Sequence, residues 1–210
     1  RSGGEPTLNL PLIEQTHRYA QQHAAAAGLA VHGVVLSNGV AISDTRLQRI
    51  HNLGLRLMIS LDGPQPVHDR QRTRVNGAGS YADVVSTIER AQQVGLHLTI
   101  SVTVTAASIE GLPKLVAWLR ERDLHFTMNF CREHGTAQAS CATPTTQLRP
   151  DDEARIIAGL RAAYRIIERN LPSYSLLGSL LDRTNLSGSH HHHLSRRRTL
   201  SRHRPPGQHR

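Results

Sequence analysis

The chain has 210 residues, enough for one domain with a real core, and its 38% apolar and 20% charged residues make a globular composition. Only 3% of residues are aromatic, so aliphatic side chains must fill that core, and no apolar run approaches the roughly 20 residues that cross a bilayer. The net charge of +9 suggests nucleic acid until it is mapped: residues 187–210 carry six Arg, six His and no acid, leaving +3 on residues 1–186.

Residues 1–10 lack the apolar stretch of a secretory signal. Two cysteines, Cys131 and Cys141, fit a reducing compartment better than a disulfide framework. A soluble, cytoplasmic protein is expected.

Along the chain, short apolar runs alternate with stretches of helical spacing. Gly3-Gly4-Glu5-Pro6 stands first, a small polar turn of the kind that follows a strand. Residues 10–27, rich in Ala and Gln, read as a helix closed by Gly28. Residues 31–36 read as a strand, followed by Ser37-Asn38-Gly39. A helix over 45–53, capped by Asp44 and stopped by Gly54, leads to a strand over 57–61. That strand runs into Ser60-Leu61-Asp62-Gly63-Pro64 and then His68-Asp69-Arg70-Gln71-Arg72. A helix over 81–94 follows Ser80, with Asp83 placed to complete a capping box, and stops at Gly95. A strand over 98–104, a helix over 112–122 with Leu112, Leu115, Val116 and Leu119 on one face, and a strand over 126–130 complete the alternation.

These strands are short and apolar, as expected for strands buried on both faces of a parallel sheet with helical crossovers. The pattern leaves a doubly wound sheet and a (β/α) barrel open, and in both the carboxyl ends of the strands carry function. Beyond residue 135 the alternation ceases. Residues 136–148 read as a polar loop, Pro150 opens a helix over 151–170, and a further helical stretch spans 175–182. The Ser-, His- and Arg-rich segment 187–210 cannot bury enough apolar area to fold and is expected to be disordered. Its abrupt composition is what a change of coding frame near Ser187 produces.

Taken singly, Gly3–Pro6, Ser37–Gly39 and Ser60–Pro64 are ordinary turn sequences. As an ordered set closing successive strands, they resemble the radical S-adenosylmethionine (SAM) superfamily, nearest the branch of anaerobic sulfatase-maturating enzymes and radical peptide maturases. The resemblance implies an α/β fold, a partial (β/α) barrel with a C-terminal helical extension. It divides the chain into a barrel portion (1–135), a loop and helical extension (136–186) and the tail (187–210). It further implies a SAM pocket. Gly3, Gly4 and Glu5 match the segment that holds the amino group of SAM's methionine, and Ser37 and Asn38 match the loop after the family's third strand. Ser60 and Arg72 match the serine and arginine that bind the carboxylate. A zwitterion suits such a set: a carboxylate seeks a guanidinium and hydroxyls, an ammonium seeks carbonyls and an acid.

By the same resemblance an intact relative holds a [4Fe–4S] cluster, makes a 5′-deoxyadenosyl radical from SAM and modifies a peptide or protein. The family's cluster loop, Cys-x-x-x-Cys-x-x-Cys, precedes the segment matched by Gly3, so an incomplete and inactive chain is expected. The cysteine-rich C-terminal region usual in this branch has no counterpart either. Cys131 and Cys141, even with His134, lack the number and spacing of cluster ligands. No catalytic residue and no metal ligand is assigned. Two rival readings remain. One is a (β/α) barrel enzyme acting on a phosphorylated metabolite, with Glu5, Asn38 and Asp62 as acid–base or metal groups. The other is a nucleic-acid-binding module driven by the basic tail, which the nearly neutral body and the lack of aromatic stacking platforms disfavour.

Overall fold

The structure is a computed structural model that describes residues 4–74, 76–130 and 150–174. The chain divides into two units, 1–176 and 177–210, and every described residue lies in the first. The expected polar loop 136–148, the helix 175–182 and the tail, with Cys131, His134 and Cys141, lie outside the described residues.

Four strands form one sheet in sequence order: β1 (Val34–Ser37), β2 (Arg56–Ser60), β3 (Leu98–Val104) and β4 (His125–Phe130). Every neighbouring pair is parallel. Among the described strands there is no switch point, so the order is that of part of a barrel rather than of a doubly wound sheet. Among the described residues six helices accompany them: α1 (Leu10–Ala26), α2 (Asp44–Asn52), α3 (Gln65–Gln71), α4 (Tyr81–Gln93), α5 (Leu112–Glu121) and α6 (Pro150–Arg169).

The strands are buried on one face only, which corrects the two-faced burial expected from their apolar character. The register aligns Ile59 with Ile100 and Ile100 with Phe126, and all three are sealed from solvent. Against this face pack Leu47 and Ile50 of α2, Val84, Ile88 and Ala91 of α4, and Leu115, Val116 and Leu119 of α5. Each such aliphatic side chain contributes about 1.5–3 kcal/mol on burial. The opposite face carries Thr99, Ser101 and Thr103 at alternate positions of β3, all half-buried, and on β1 it leaves Val34 and Leu36 43% and 61% exposed. The alternation Leu-Thr-Ile-Ser-Val-Thr-Val in β3 is therefore the register of a one-sided sheet.

The helix ends show where local pattern suffices and where it does not. Gly95, at φ +76°, closes α4, with Leu96 N–H donating to Ala91 O at 3.0 Å. The cap of α2 is Ser43, whose Oγ accepts from Arg46 N–H at 3.4 Å, and not Asp44, which is the first helical residue. Ser80 precedes α4 but makes no side-chain cap, so the expected capping box with Asp83 does not form. Asp83 pairs with Arg74 instead, and Tyr81 N–H donates to Asp69 Oδ1 at 2.8 Å. At the far end, the buried Arg120 of α5 donates to the carbonyls of Asn170 and Leu171, closing the carboxyl end of α6 with a cation.

Candidate functional site: two loop networks at the carboxyl edge of the sheet

The first network is built on Glu5. Its carboxylate caps a short 3-10 helix, Pro6–Asn9, by accepting from Thr7 N–H at 3.2 Å and Thr7 Oγ1 at 2.7 Å. The same Oε1 accepts from Ser37 Oγ at 2.8 Å, and Oε2 accepts from Asn38 N–H at 2.8 Å. One carboxylate thus ties the Gly-Gly-Glu-Pro segment to the end of β1, more than thirty positions along the chain. Ser37 lies on the helix-packed face and is buried, and its Oγ also accepts from Gly39 N–H at 3.0 Å. Asn38 is exposed, and its Oδ1 accepts from Val40 N–H at 2.8 Å, an Asx turn. Gly39 sits at φ +75°, and a Cβ there would meet Ile59 Cγ2 at 2.7 Å, so both backbone and space demand glycine. Gly4 has open space around it, and Gly3 lies outside the described residues.

The second network is built on Asp62, just beyond β2. The residue is 3% exposed. Oδ1 accepts from Thr103 N–H at 2.9 Å and Oδ2 from Arg72 Nε at 2.5 Å. The Arg72 side chain remains 35% exposed, and among the described residues no group bonds its two terminal nitrogens. Its outer Nη edge is the shape and charge that a carboxylate pairs with in bidentate fashion. Behind it, the fully buried His68 accepts from Asp62 N–H at Nδ1, 3.2 Å away. His68 Nε2 lies 3.0 Å from Ser80 Oγ, which donates to Arg72 O at 2.7 Å. Burial pushes the His68 imidazole below its ordinary value. Arg72 adds to that shift, while Asp62 and Asp69 oppose it.

Ser60 ends β2 on the half-open face, in register with Ser101 of β3. Ser101 Oγ accepts from Asn129 Nδ2 of β4 at 3.0 Å, so hydroxyls and an amide line this face beside the Arg72 loop. The structure therefore joins Glu5, Ser37 and Asn38 directly and sets Ser60 and Arg72 around the next strand's end. Thr7, His68, Ser80 and Thr103 complete these networks. The functional motifs contained His68 and Ser80, but only the fold reveals what they hold.

The sequence pattern of the Radical SAM superfamily matches residues 2–119, the stretch that contains both networks and strands β1 to β3. The chain belongs to the radical SAM superfamily. Cysteine-type anaerobic sulfatase-maturating enzymes from two strains of Clostridium perfringens are 23% and 22% identical to it over 125 residues. That stretch is 59% of this chain and 34% of each relative, so the match spans about a third of their length. Among solved structures, native anSMEcpe with bound AdoMet superposes with a TM-score of 0.65 at 20% identity, over 83% of this chain and 48% of that one. Native anSMEcpe with bound AdoMet and Cp18Cys peptide gives 0.68 at 21%, over 90% and 53%. At such identity these likenesses establish the fold, a partial (β/α) barrel of the radical SAM type.

Membership of the family implies SAM and a [4Fe–4S] cluster, and this chain meets the two requirements unequally. The Nη edge of Arg72, without a partner among the described residues, has the charge and shape that a carboxylate such as SAM's takes. The cluster has no fitting ligand set: the chain has two cysteines, and among the described residues no group of three His, Cys, Asp or Glu side chains is arranged around a metal. No described helix is long and apolar enough to cross a membrane.

Proposed function

We propose that this chain forms the methionine-binding side of the SAM pocket of a cytoplasmic radical SAM enzyme whose substrate is a peptide or protein. The observation that carries the reading is Arg72, gripped through Nε by a buried aspartate and left with its Nη edge open at the carboxyl edge of the sheet. Arg72 and the Ser60 hydroxyl receive SAM's carboxylate. The ammonium is assigned, on the match of Gly3, Gly4 and Glu5 to the family segment, to the Oε2 of Glu5, which accepts a single internal bond while Oε1 accepts three. A carboxylate oxygen with one partner retains a lone pair for another donor. Ser37 and Asn38 shape this half of the pocket through the Glu5 clamp.

A reduced [4Fe–4S] cluster, for which this chain offers no ligand set, would supply the electron that converts bound SAM to methionine and a hydrogen-abstracting 5′-deoxyadenosyl radical. The residues of this chain bind and orient the methionine end. A peptide or protein substrate is supported by the sulfatase-maturating relatives and by the peptide complex of anSMEcpe.

Calorimetric titration of SAM into the chain tests the pocket. Arg72→Ala is expected to weaken binding about ten- to hundredfold, the worth of a charge-assisted hydrogen-bond pair. Equal affinity in wild type and variant overturns the assignment. Anaerobic reconstitution with iron and sulfide, followed by a dithionite-driven assay, is expected to yield neither a stoichiometric cluster nor 5′-deoxyadenosine from this chain alone. Turnover there would overturn that expectation.

A further inference from the structure

Arg72 is held twice by the same residue, along two routes. Its side chain is bound by the Asp62 carboxylate. Its main chain is reached through a relay: Asp62 N–H to His68 Nδ1, His68 Nε2 to Ser80 Oγ, Ser80 Oγ to Arg72 O. The relay joins the loop after β2, helix α3, the segment before α4 and Arg72 into a closed ring. Every member but Arg72 is buried: His68 is 0%, Asp62 3% and Ser80 4% exposed. This explains why Ser80 does not cap α4, since its hydroxyl is already committed at both ends.

The direction of the relay is fixed by chemistry. Asp62 N–H can only donate, so Nδ1 must carry a lone pair and the ring proton must sit on Nε2. Nε2–H then donates to Ser80, and the Ser80 hydroxyl proton is free for Arg72 O. An Nδ1–H tautomer or an imidazolium would set two hydrogens against each other between Asp62 N and Nδ1. Resting on the SAM-pocket reading, we infer that His68, as its neutral Nε2–H tautomer, is a positioning residue: it locks the Arg72 loop so that the Nη edge is preset for the carboxylate of SAM.

Protonation of His68 breaks the relay at its first link. The charged and titratable groups facing the ring are Asp62 and Asp69, which favour the proton, Arg72, which opposes it, and Tyr81 of α4, whose ring meets the imidazole edge-on at 6.1 Å. Burial outweighs the two acids, so the neutral form holds at and below the ordinary His value of 6.5. Further acidification must either charge a buried ring or open the loop.

The test reads Arg72 itself. In nitrogen-15 NMR spectra of the full chain at pH 7.5, His68 is expected as the Nε2–H tautomer and Arg72 Nε–H as a slowly exchanging signal. His68→Phe removes acceptor and donor together, and should abolish the Arg72 signal and weaken SAM binding about tenfold. His68→Gln keeps an amide oxygen for Asp62 and an N–H for Ser80. It should retain the Arg72 signal at pH 7.5 and lack the decline in SAM affinity that the inference expects of wild type as pH falls below 6.5. Backbone amide spectra of the variants separate loss of the relay from loss of the fold. An Nδ1–H tautomer in wild type, or a His68→Phe chain with protected Arg72 Nε–H and unchanged affinity, overturns the inference. A wild-type chain with the relay intact and no affinity for SAM overturns the pocket reading, while the His68–Arg72 coupling stands.

Discussion

The two loop networks at the carboxyl edge use the same device, a carboxylate that staples distant segments, to different ends. Glu5 accepts four hydrogen bonds from its own scaffold and sits in a part-exposed turn. Asp62 is buried, accepts one backbone N–H, and spends its second oxygen on a guanidinium whose far edge faces outward. Around β1, then, the motif residues mostly build the loop. Around β2, one residue builds it and another is presented. A motif matched letter by letter does not reveal which of its letters are architecture.

That contrast is sharpest under Asp62→Ala. The change leaves Thr103 N–H and the Arg72 guanidinium without their partner. The cost should be about 1–3 kcal/mol, toward the lower part of that range because the part-exposed Arg72 can turn to water. Urea denaturation measures it. A loss of stability no larger than that of Glu5→Ala would mean that burial does not distinguish the two staples.

Gly39→Ala probes the β1 side next. The substitution forces an L side chain to φ +75° and drives its Cβ against Ile59, whose partners fill the sealed face of the sheet. Backbone strain of this kind costs about 1–3 kcal/mol. A thermal midpoint within error of wild type would show that the loop can shift as a body and that Glu5 does not hold it firmly.

The third test is pH. His68 has a depressed folded-state value, so acidification protonates the unfolded chain before the folded one. Stability from this group is complete above the ordinary value of 6.5 and is lost as pH falls from 6.5 toward the lower folded value. Urea midpoints at pH 7.5 and 5.5 should differ in wild type and differ less in His68→Gln. Equal slopes in both would remove His68 from the acid response.

Much of this architecture is legible in the residues. The strand expected over 98–104 is β3 to the residue, because its ends are marked by Gly95 before and a polar loop after. The helix over 112–122 ends one position early as α5. What fails to show is any bond that crosses the chain. Ser43 and Asp44 are both plausible caps in isolation, and only the accepted N–H of Arg46 separates them. Ser80 reads as a cap because local spacing cannot see His68 or the Arg72 carbonyl, twelve and eight positions away. Helix α3 passes as loop: its seven residues include Pro66 in the first turn and too few apolar positions for a periodic signal. The site residues follow the same division, since Glu5 and Arg72 are visible as charges in polar loops while the buried ring around His68 is visible only once folded.

The smallest expected effect comes from Asn38, and it separates the two roles a motif residue can have. Its side chain accepts from Val40 N–H at 2.8 Å in an exposed Asx turn, while its backbone N–H donates to Glu5 Oε2 at 2.8 Å. Asn38→Ala removes the first bond and keeps the second. Because water can replace the lost acceptor at an exposed turn, stability should fall by only about 0.5 kcal/mol. If Asn38 serves as architecture, SAM affinity stays within about twofold of wild type, in proportion to that small loosening of the turn. If its amide touches the ligand, affinity falls much further than stability does. Paired denaturation and calorimetry on this one variant therefore place Asn38 with Ser37 among the residues that shape the loop, or with Arg72 among those that meet the ligand.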